Sequence, residues 1–170
     1  LSGTSGNTTT TGYGSNDWWI VKIDASGNKQ WEKSFGGSGS DVLAFSTSVQ
    51  QTPDDGFILS GSSDSPIGGS KTSTNHGLTD YWLIKIDGSG NKQWEQTFGG
   101  DSDDVLYSLH LTSDGGYILG GISWSGASGN KTSLGYGGPI PGSNGPDYWV
   151  IKVDNNGSKQ WEQTYGGNQN

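Results

Sequence analysis

Asp17-Trp18-Trp19-Ile20-Val21-Lys22-Ile23-Asp24 is matched by Asp80-Tyr81-Trp82-Leu83-Ile84-Lys85-Ile86-Asp87. Both are matched by Asp147-Tyr148-Trp149-Val150-Ile151-Lys152-Val153-Asp154. The offsets are 63 residues (17 to 80) and 67 residues (80 to 147). Each copy runs into a Gly/Asn turn and then Lys-Gln-Trp-Glu, at Lys29, Lys92 and Lys159. Each then reaches Gly-Gly, at Gly36-Gly37, Gly99-Gly100 and Gly166-Gly167. A fixed period of this kind is the mark of a repeat architecture and takes precedence over any local reading.

Within one period the residues read as four strands, a to d. The Trp/Ile/Lys run, strand c, is apolar on both alternating faces until its Lys, so it is expected between two neighbouring sheets. The turn Asp87-Gly88-Ser89-Gly90-Asn91 reverses the chain into strand d, where Trp94 and Phe98 share one face and Gln93, Glu95 and Thr97 the other. After Gly-Gly comes strand a, Val105 to Leu111. The hairpin signal Ser113-Asp114-Gly115-Gly116 leads into strand b, Tyr117 to Ile122, whose counterpart is Phe57 to Gly61. The stretch Gly37 to Thr52 spans 15 steps where Gly100 to Thr112 spans 12. The three extra residues predict a bulge or a longer loop.

Four short antiparallel strands per period predict an all-β fold of β-propeller blades, about three repeats with the first incomplete. The expected division is a partial blade over 1–37 (the end of strand b, then c and d), a blade over 38–100 and a blade over 101–170. Leu1-Ser2-Gly3 repeats Leu59-Ser60-Gly61, so the chain is expected to open inside a blade. Three incomplete blades do not close a ring of the usual four to eight. Further blades of a longer chain, or other copies of this one, are then the expected partners.

Composition agrees. The chain has 170 residues, 31 of them Gly, and only 28% are hydrophobic, yet it carries eight Trp, seven Tyr and four Phe. Large rings bury enough area to build a core from a thin apolar inventory. There is no Cys and no Met, and every one of the nine cationic residues is Lys. Without Cys there is no disulfide, thiol catalysis or thiolate metal site. A net charge of −8 opposes binding to nucleic acid or to anionic lipid. No apolar run has the length of a membrane span.

The order Gly-Gly, Asp, apolar strand, Thr-x-Asp-Gly-Gly-Tyr-Ile-Leu-Gly-Gly, then Asp-Tyr-Trp-Leu-Ile-Lys-Ile-Asp and Gly-Asn-Lys-Gln-Trp resembles the bacterial secreted β-propeller repeat family, of Bacteroidetes type. The resemblance covers nearly all of the chain outside the b–c connections. It implies an extracellular or cell-surface protein, and it brings no shared catalytic residues. It leaves function open, since propellers host many activities.

Candidate sites follow from where repetition fails. The b–c connections, Ser62 to Thr79 and Ser123 to Pro146, are long and rich in Gly, Ser, Asn and Pro, and loops on a rigid scaffold commonly carry function. Trp124 has no partner in the aligned units and suits a sugar-stacking platform for surface glycans, with Tyr136 and Tyr13 in similar contexts. Gly36-Gly37-Ser38-Gly39-Ser40-Asp41 fits one calcium-repeat pattern without a tandem copy. Asp101, Asp103 and Asp104 offer clustered hard oxygens for calcium, with Asp41 at the matching place in the previous unit. Trp19, Trp82 and Trp149, and likewise Trp31, Trp94 and Trp161, are locked to the repeat and are expected to pack between blades. Glu32, Glu95 and Glu162 share one strand position and do not form a differentiated acid/base pair. His76 and His110 show no ligand spacing. The first expectation is therefore a non-enzymatic structural or adhesive module, able to assemble into a ring or filament. The second is a lectin-like carbohydrate-binding propeller assisted by calcium.

Overall fold

A computed structural model describes residues 8–136 and 145–167, and among them the chain is all-β, with eleven strands. Strands β1 (Trp18–Ile23) and β2 (Lys29–Phe35) form a two-stranded antiparallel sheet. The second sheet holds β3 (Asp41–Leu43), β4 (Val49–Gln51), β5 (Phe57–Ser63), β6 (Asp80–Ile86) and β7 (Lys92–Phe98). The third holds β8 (Asp104–Leu111), β9 (Tyr117–Ser123), β10 (Asp147–Val153) and β11 (Lys159–Tyr165). In both larger sheets the order in space is the order in sequence, an antiparallel meander from strand a to strand d. The described residues do not close into a barrel or a ring. Leu1 to Gly3, expected as the end of a strand b, lie outside the described residues.

The turns are built from the same parts each time. In the c–d turns one carboxylate oxygen accepts two backbone N–H groups: Asp24 takes Ser26 and Asn28, Asp87 takes Ser89 and Asn91, and Asp154 takes Asn156 and Ser158, at 2.8–2.9 Å. Gly27, Gly90 and Gly157 take φ near +82° in those turns, where a side chain would be strained. The a–b turns are tied to strand c by Lys85 on Asp54 at 2.9 Å and Lys152 on Asp114 at 3.0 Å.

The three extra residues of the second unit break its strand a. β3 and β4 both pair with β5, and 44–48 loop out between them. The third unit keeps one strand with a single bulge at Tyr107. The excursion is used: the Ser46 N–H donates to the Tyr107 carbonyl at 2.9 Å, and Phe45 lies 5.6 Å from the Tyr107 ring. The Gln50 side chain bridges the Leu109 carbonyl and the Leu111 N–H, which ties the two a strands together.

The core lies between sheets. Trp18, Ile20 and Phe35 of the first sheet meet Leu59, Trp82, Ile84 and Ile86 of the second. The opposite face of the second sheet, with Tyr81, Leu83 and Phe98, meets Leu106, Leu119, Trp149, Ile151 and Val153 of the third. Strand β6 is buried along its whole length, as its double-faced apolarity requires.

The expectation that all six repeat-locked Trp pack between sheets needs correction at two of them. Trp82 and Trp149 are fully buried, and Trp31 and Trp94 pack against Phe57 and Tyr117 of the following sheet. Trp19 and Trp161 are 44% and 46% exposed. The reason is direction. Position 3 of strand c faces back and the strand d Trp faces onward. Trp19 therefore points away from the second sheet, and Trp161 away from it on the far side.

Candidate functional site

Where one sheet passes to the next, the Gly-Gly step, the start of strand c and the head of the b–c connection converge in one corner. Asp41 sits in the first corner, almost fully buried. Its Oδ2 accepts the Gly37 N–H at 2.8 Å and the Ser65 hydroxyl at 3.0 Å, while Oδ1 accepts the Ser63 hydroxyl at 2.5 Å. Asp104 repeats this in the next corner, accepting the Gly100 N–H at 2.7 Å and the Ser125 hydroxyl at 2.8 Å. Burial pushes both carboxyls upward, against those hydrogen bonds.

A second carboxylate completes each corner. Asp17, Asp80 and Asp147 open their c strands, and each Oδ2 accepts the N–H of a b–c residue: Tyr13 at 2.8 Å, His76 at 2.5 Å and Tyr136 at 2.6 Å. Burial raises Asp80 to about 6, with Asp104 adding like-charge repulsion. Among the described residues no donor reaches Oδ1 of Asp17 or Asp80; each lies against the first glycine of the Gly-Gly pair. A β-carbon on Gly36, Gly99 or Gly166 would come within 1.8, 1.7 and 1.5 Å of the Oδ1 of Asp17, Asp80 and Asp147. The second glycine faces the serine: a β-carbon on Gly37 or Gly100 would stand 2.6 or 2.5 Å from the Cβ of Ser65 or Ser125. At Gly36-Gly37 and Gly99-Gly100 the pair is thus a requirement of close approach to the buried carboxylate and serine.

The b–c connections, expected to vary, carry a repeat of their own. Gly69-Ser70-Lys71-Thr72-Ser73 corresponds to Gly129-Asn130-Lys131-Thr132-Ser133, and Thr9 and Thr10 hold the matching places in the first unit. Glu95 Oε1 accepts the N–H groups of Thr72 and Ser73, both at 2.5 Å, and Glu162 Oε1 those of Thr132 and Ser133, both at 2.5 Å. Glu32 accepts from Thr9. Lys92 and Lys159 pair with the second oxygen of these Glu residues at 2.6 and 2.5 Å. Burial opposes ionisation of Glu95 and Glu162, but the Lys partners and the N–H donors outweigh it and hold both below the usual range. The Thr9 hydroxyl leads the set that draws Glu32 down to about 2.

Lys71 and Lys131 are fully buried in these loops. Lys71 Nζ donates to the Ser73 carbonyl at 2.8 Å and the Thr97 hydroxyl at 3.2 Å, and stands 5.7 Å from the Trp82 ring. Lys131 Nζ donates to the Ser133 carbonyl at 2.7 Å, 5.6 Å from Trp149. Burial lowers the pKa of both. The same loops latch the preceding sheet. Gly36 N–H donates to the Ser70 hydroxyl at 2.8 Å and Gly99 N–H to Asn130 Oδ1 at 2.9 Å, and the Asn130 amide returns a bond to the Thr97 carbonyl at 2.7 Å.

The corner does not gather the acidic residues into a cation cluster. Asp101 is exposed and accepts the Ser128 hydroxyl, Asp103 offers its carbonyl to the Trp124 N–H, and Asp104 turns inward to its glycine and serine. Asp41 belongs to the previous corner. Among the described residues no three acidic or His side chains converge as a metal site. Tyr13 and His76 occupy one repeated position, and each backs onto a glycine of the following unit: a β-carbon on Gly69 would stand 2.7 Å from Tyr13 Cγ, and one on Gly129 2.8 Å from His76 Cβ. Tyr136 is the third member, half-exposed. Trp124 stands where the second unit has Asp64 and is 49% exposed. Sequence reasoning missed the buried lysines. The recurring Lys-Thr-Ser was visible, but it sits in segments whose composition reads as solvated loop.

No protein-family model matches the chain, and no curated protein sequence matches it.

Proposed function

We propose that each four-stranded meander is a propeller blade, and that the chain is a non-enzymatic extracellular structural or adhesive module of the secreted bacterial repeat type, built to join further units. One observation carries this reading. The same corner and the same inter-sheet ring contact are constructed in successive units, with one oxygen of each corner carboxylate held by a backbone N–H. Glu32, Glu95 and Glu162 each accept from the N–H groups of a b–c connection, and Asp41 and Asp104 each from a glycine N–H and a serine, which supports a structural use of these carboxylates. Electron microscopy of the purified chain at rising concentration tests it. Rings or filaments of regular subunits are expected, and single small particles at every concentration would remove the assembly reading.

A second reading rests on Trp124, the half-exposed ring that breaks the repeat. A flat exposed indole at a loop head suits stacking on a sugar face. A glycan array, run with calcium and with chelator, tests it: binding lost in Trp124→Ala supports a lectin role, and a blank array in both conditions removes it.

A further inference from the structure

The inter-sheet contact has a direction. Position 2 of strand c faces onward and position 3 faces back. Trp18 meets Trp82 with ring centres 4.5 Å apart and planes tilted by 43°, and Tyr81 meets Trp149 at 4.9 Å and 42°. The geometry is nearly the same although the onward ring changes from Trp to Tyr. Strand b makes room for it: a β-carbon on Gly61 would stand 2.7 Å from Trp18 Cζ2, and one on Gly121 2.6 Å from the Tyr81 oxygen. The Tyr81 hydroxyl donates to the Trp149 carbonyl at 3.2 Å.

The strand c ring of each half recurs on an outer face. Tyr148, the onward ring of the third sheet, is 68% exposed, beside its cross-strand partner Tyr165 and the half-exposed Trp161. Trp19, the backward ring of the first sheet, is exposed beside Val21 and Ile23. The equivalents of Tyr148, Tyr165 and Trp161 in the second sheet are Tyr81, Phe98 and Trp94, and all three pack against the third. The strand c rings of the two exposed faces therefore repeat a contact that the chain already makes twice, while its strand b glycine, Gly61 or Gly121, has no counterpart among the described residues of the first sheet.

We infer that the outer face of the third sheet docks the outer face of the first sheet of a second copy, head to tail, with Tyr148 on Trp19. This deepens the assembly reading above and rests on it. The contact is heterologous, so each docked copy leaves one half free and growth continues until a ring closes. The net charge of −8 opposes the approach of like copies, so added salt promotes it.

Sedimentation velocity on the wild-type chain, Trp19→Lys, Tyr148→Lys and their equimolar mixture tests the inference. Wild type is expected to form species larger than a dimer. Each variant alone is expected to stay monomeric, because each lacks one half of the contact. The mixture is expected to stop at a dimer, since Trp19→Lys retains its Tyr148 face and Tyr148→Lys its Trp19 face. Both substitutions lie on outer faces, and matching thermal melts confirm that the monomers are folded; Tyr148→Ala serves as a second variant without added charge. Wild-type assembly that persists in both variants overturns the ring pairing and leaves the assembly reading standing. A mixture with no dimer overturns the head-to-tail direction. A wild-type chain that is monomeric at every concentration and salt removes the inference together with the assembly reading.

Discussion

The Oδ1 of Asp80 lies against Gly99 so closely that a β-carbon there would reach 1.7 Å from it. The carboxylate has no room to retreat, because its other oxygen is held by the His76 N–H and the residue is fully buried. We expect Gly99→Ala to destabilise the fold by about 3 kcal/mol or more, the upper range for overpacking a close-packed interior. Gly126→Ala, where nothing lies within 4 Å, should change stability by no more than about 0.5 kcal/mol. Urea titrations of both measure this. Equal midpoints would refute the steric account of the Gly-Gly pair.

The carboxyls raised by folding and those lowered by it should bend stability in opposite directions with pH. Asp80 is raised by burial from 3.8 to about 6, with the Asp104 carboxylate adding to the rise and the Lys71 ammonium opposing it. Its protonated form is favoured by folding, so stability rises as pH falls through about 6 and the gain is complete below 3.8. Asp41 and Asp104 are shifted in the same sense. Asp54, held by Lys85, and Glu32, held first by the Thr9 hydroxyl, are lowered to about 2. Their contribution is present above their unfolded values of 3.8 and 4.5 and is lost as pH falls towards 2. Melting temperature should therefore peak between about pH 4 and pH 6. Asp80→Asn should flatten the rise between pH 7 and pH 5, and an unchanged slope in that variant would refute the assignment to Asp80.

Equivalent tryptophans should not be equivalent in energy. Trp149→Ala empties a fully buried site and should cost about 3–5 kcal/mol. Trp19→Ala removes a half-exposed ring at the same repeat position, and in monomer at low concentration it should cost about 1 kcal/mol or less. Chemical denaturation of dilute protein separates the two, and similar costs would show that burial does not govern this position.

Lys71 should matter through its stem as well as its charge. Lys71→Met keeps the packing beside Trp82 but leaves the Ser73 carbonyl and the Thr97 hydroxyl without their ammonium donor, a loss of about 1–3 kcal/mol. Lys71→Ala adds a cavity and should cost about 1–2 kcal/mol more. If Met proves as stable as Lys, the hydrogen bonds of the buried ammonium contribute nothing net.

Much of this fold was legible because its signals were local and repeated. The double-faced apolar run of Tyr81 to Ile86 marked a strand between two sheets, and the spacing of Asp87, Gly90 and Asn91 marked the turn that closes it. The broken strand over 41–51 followed from three extra residues. Alternation along a strand tells which residues share a face, but not which face meets a neighbour. That is why Trp19 and Trp82, alike in sequence, differ so far in exposure. The corner was obscured for a different reason. Asp101, Asp103 and Asp104 are neighbours in sequence, yet backbone N–H and serine donors draw Asp104 inward while Asp101 stays in water. Lys71 lies in a loop whose Ser, Thr and Gly content reads as solvated, and only the fold brings Thr97 and Trp82 to it.

The onward-and-back arrangement of rings along strand c bears on how such a chain changes length. A tandem duplication of one period would arrive with its docking surface, its loop latch and its receiving glycines already encoded. The contacts peculiar to one junction, Ser46 on Tyr107 and Gln50 on Leu109 and Leu111, would not come with it, so growth by whole periods re-uses the ring pair and leaves the strand a junction to be rebuilt.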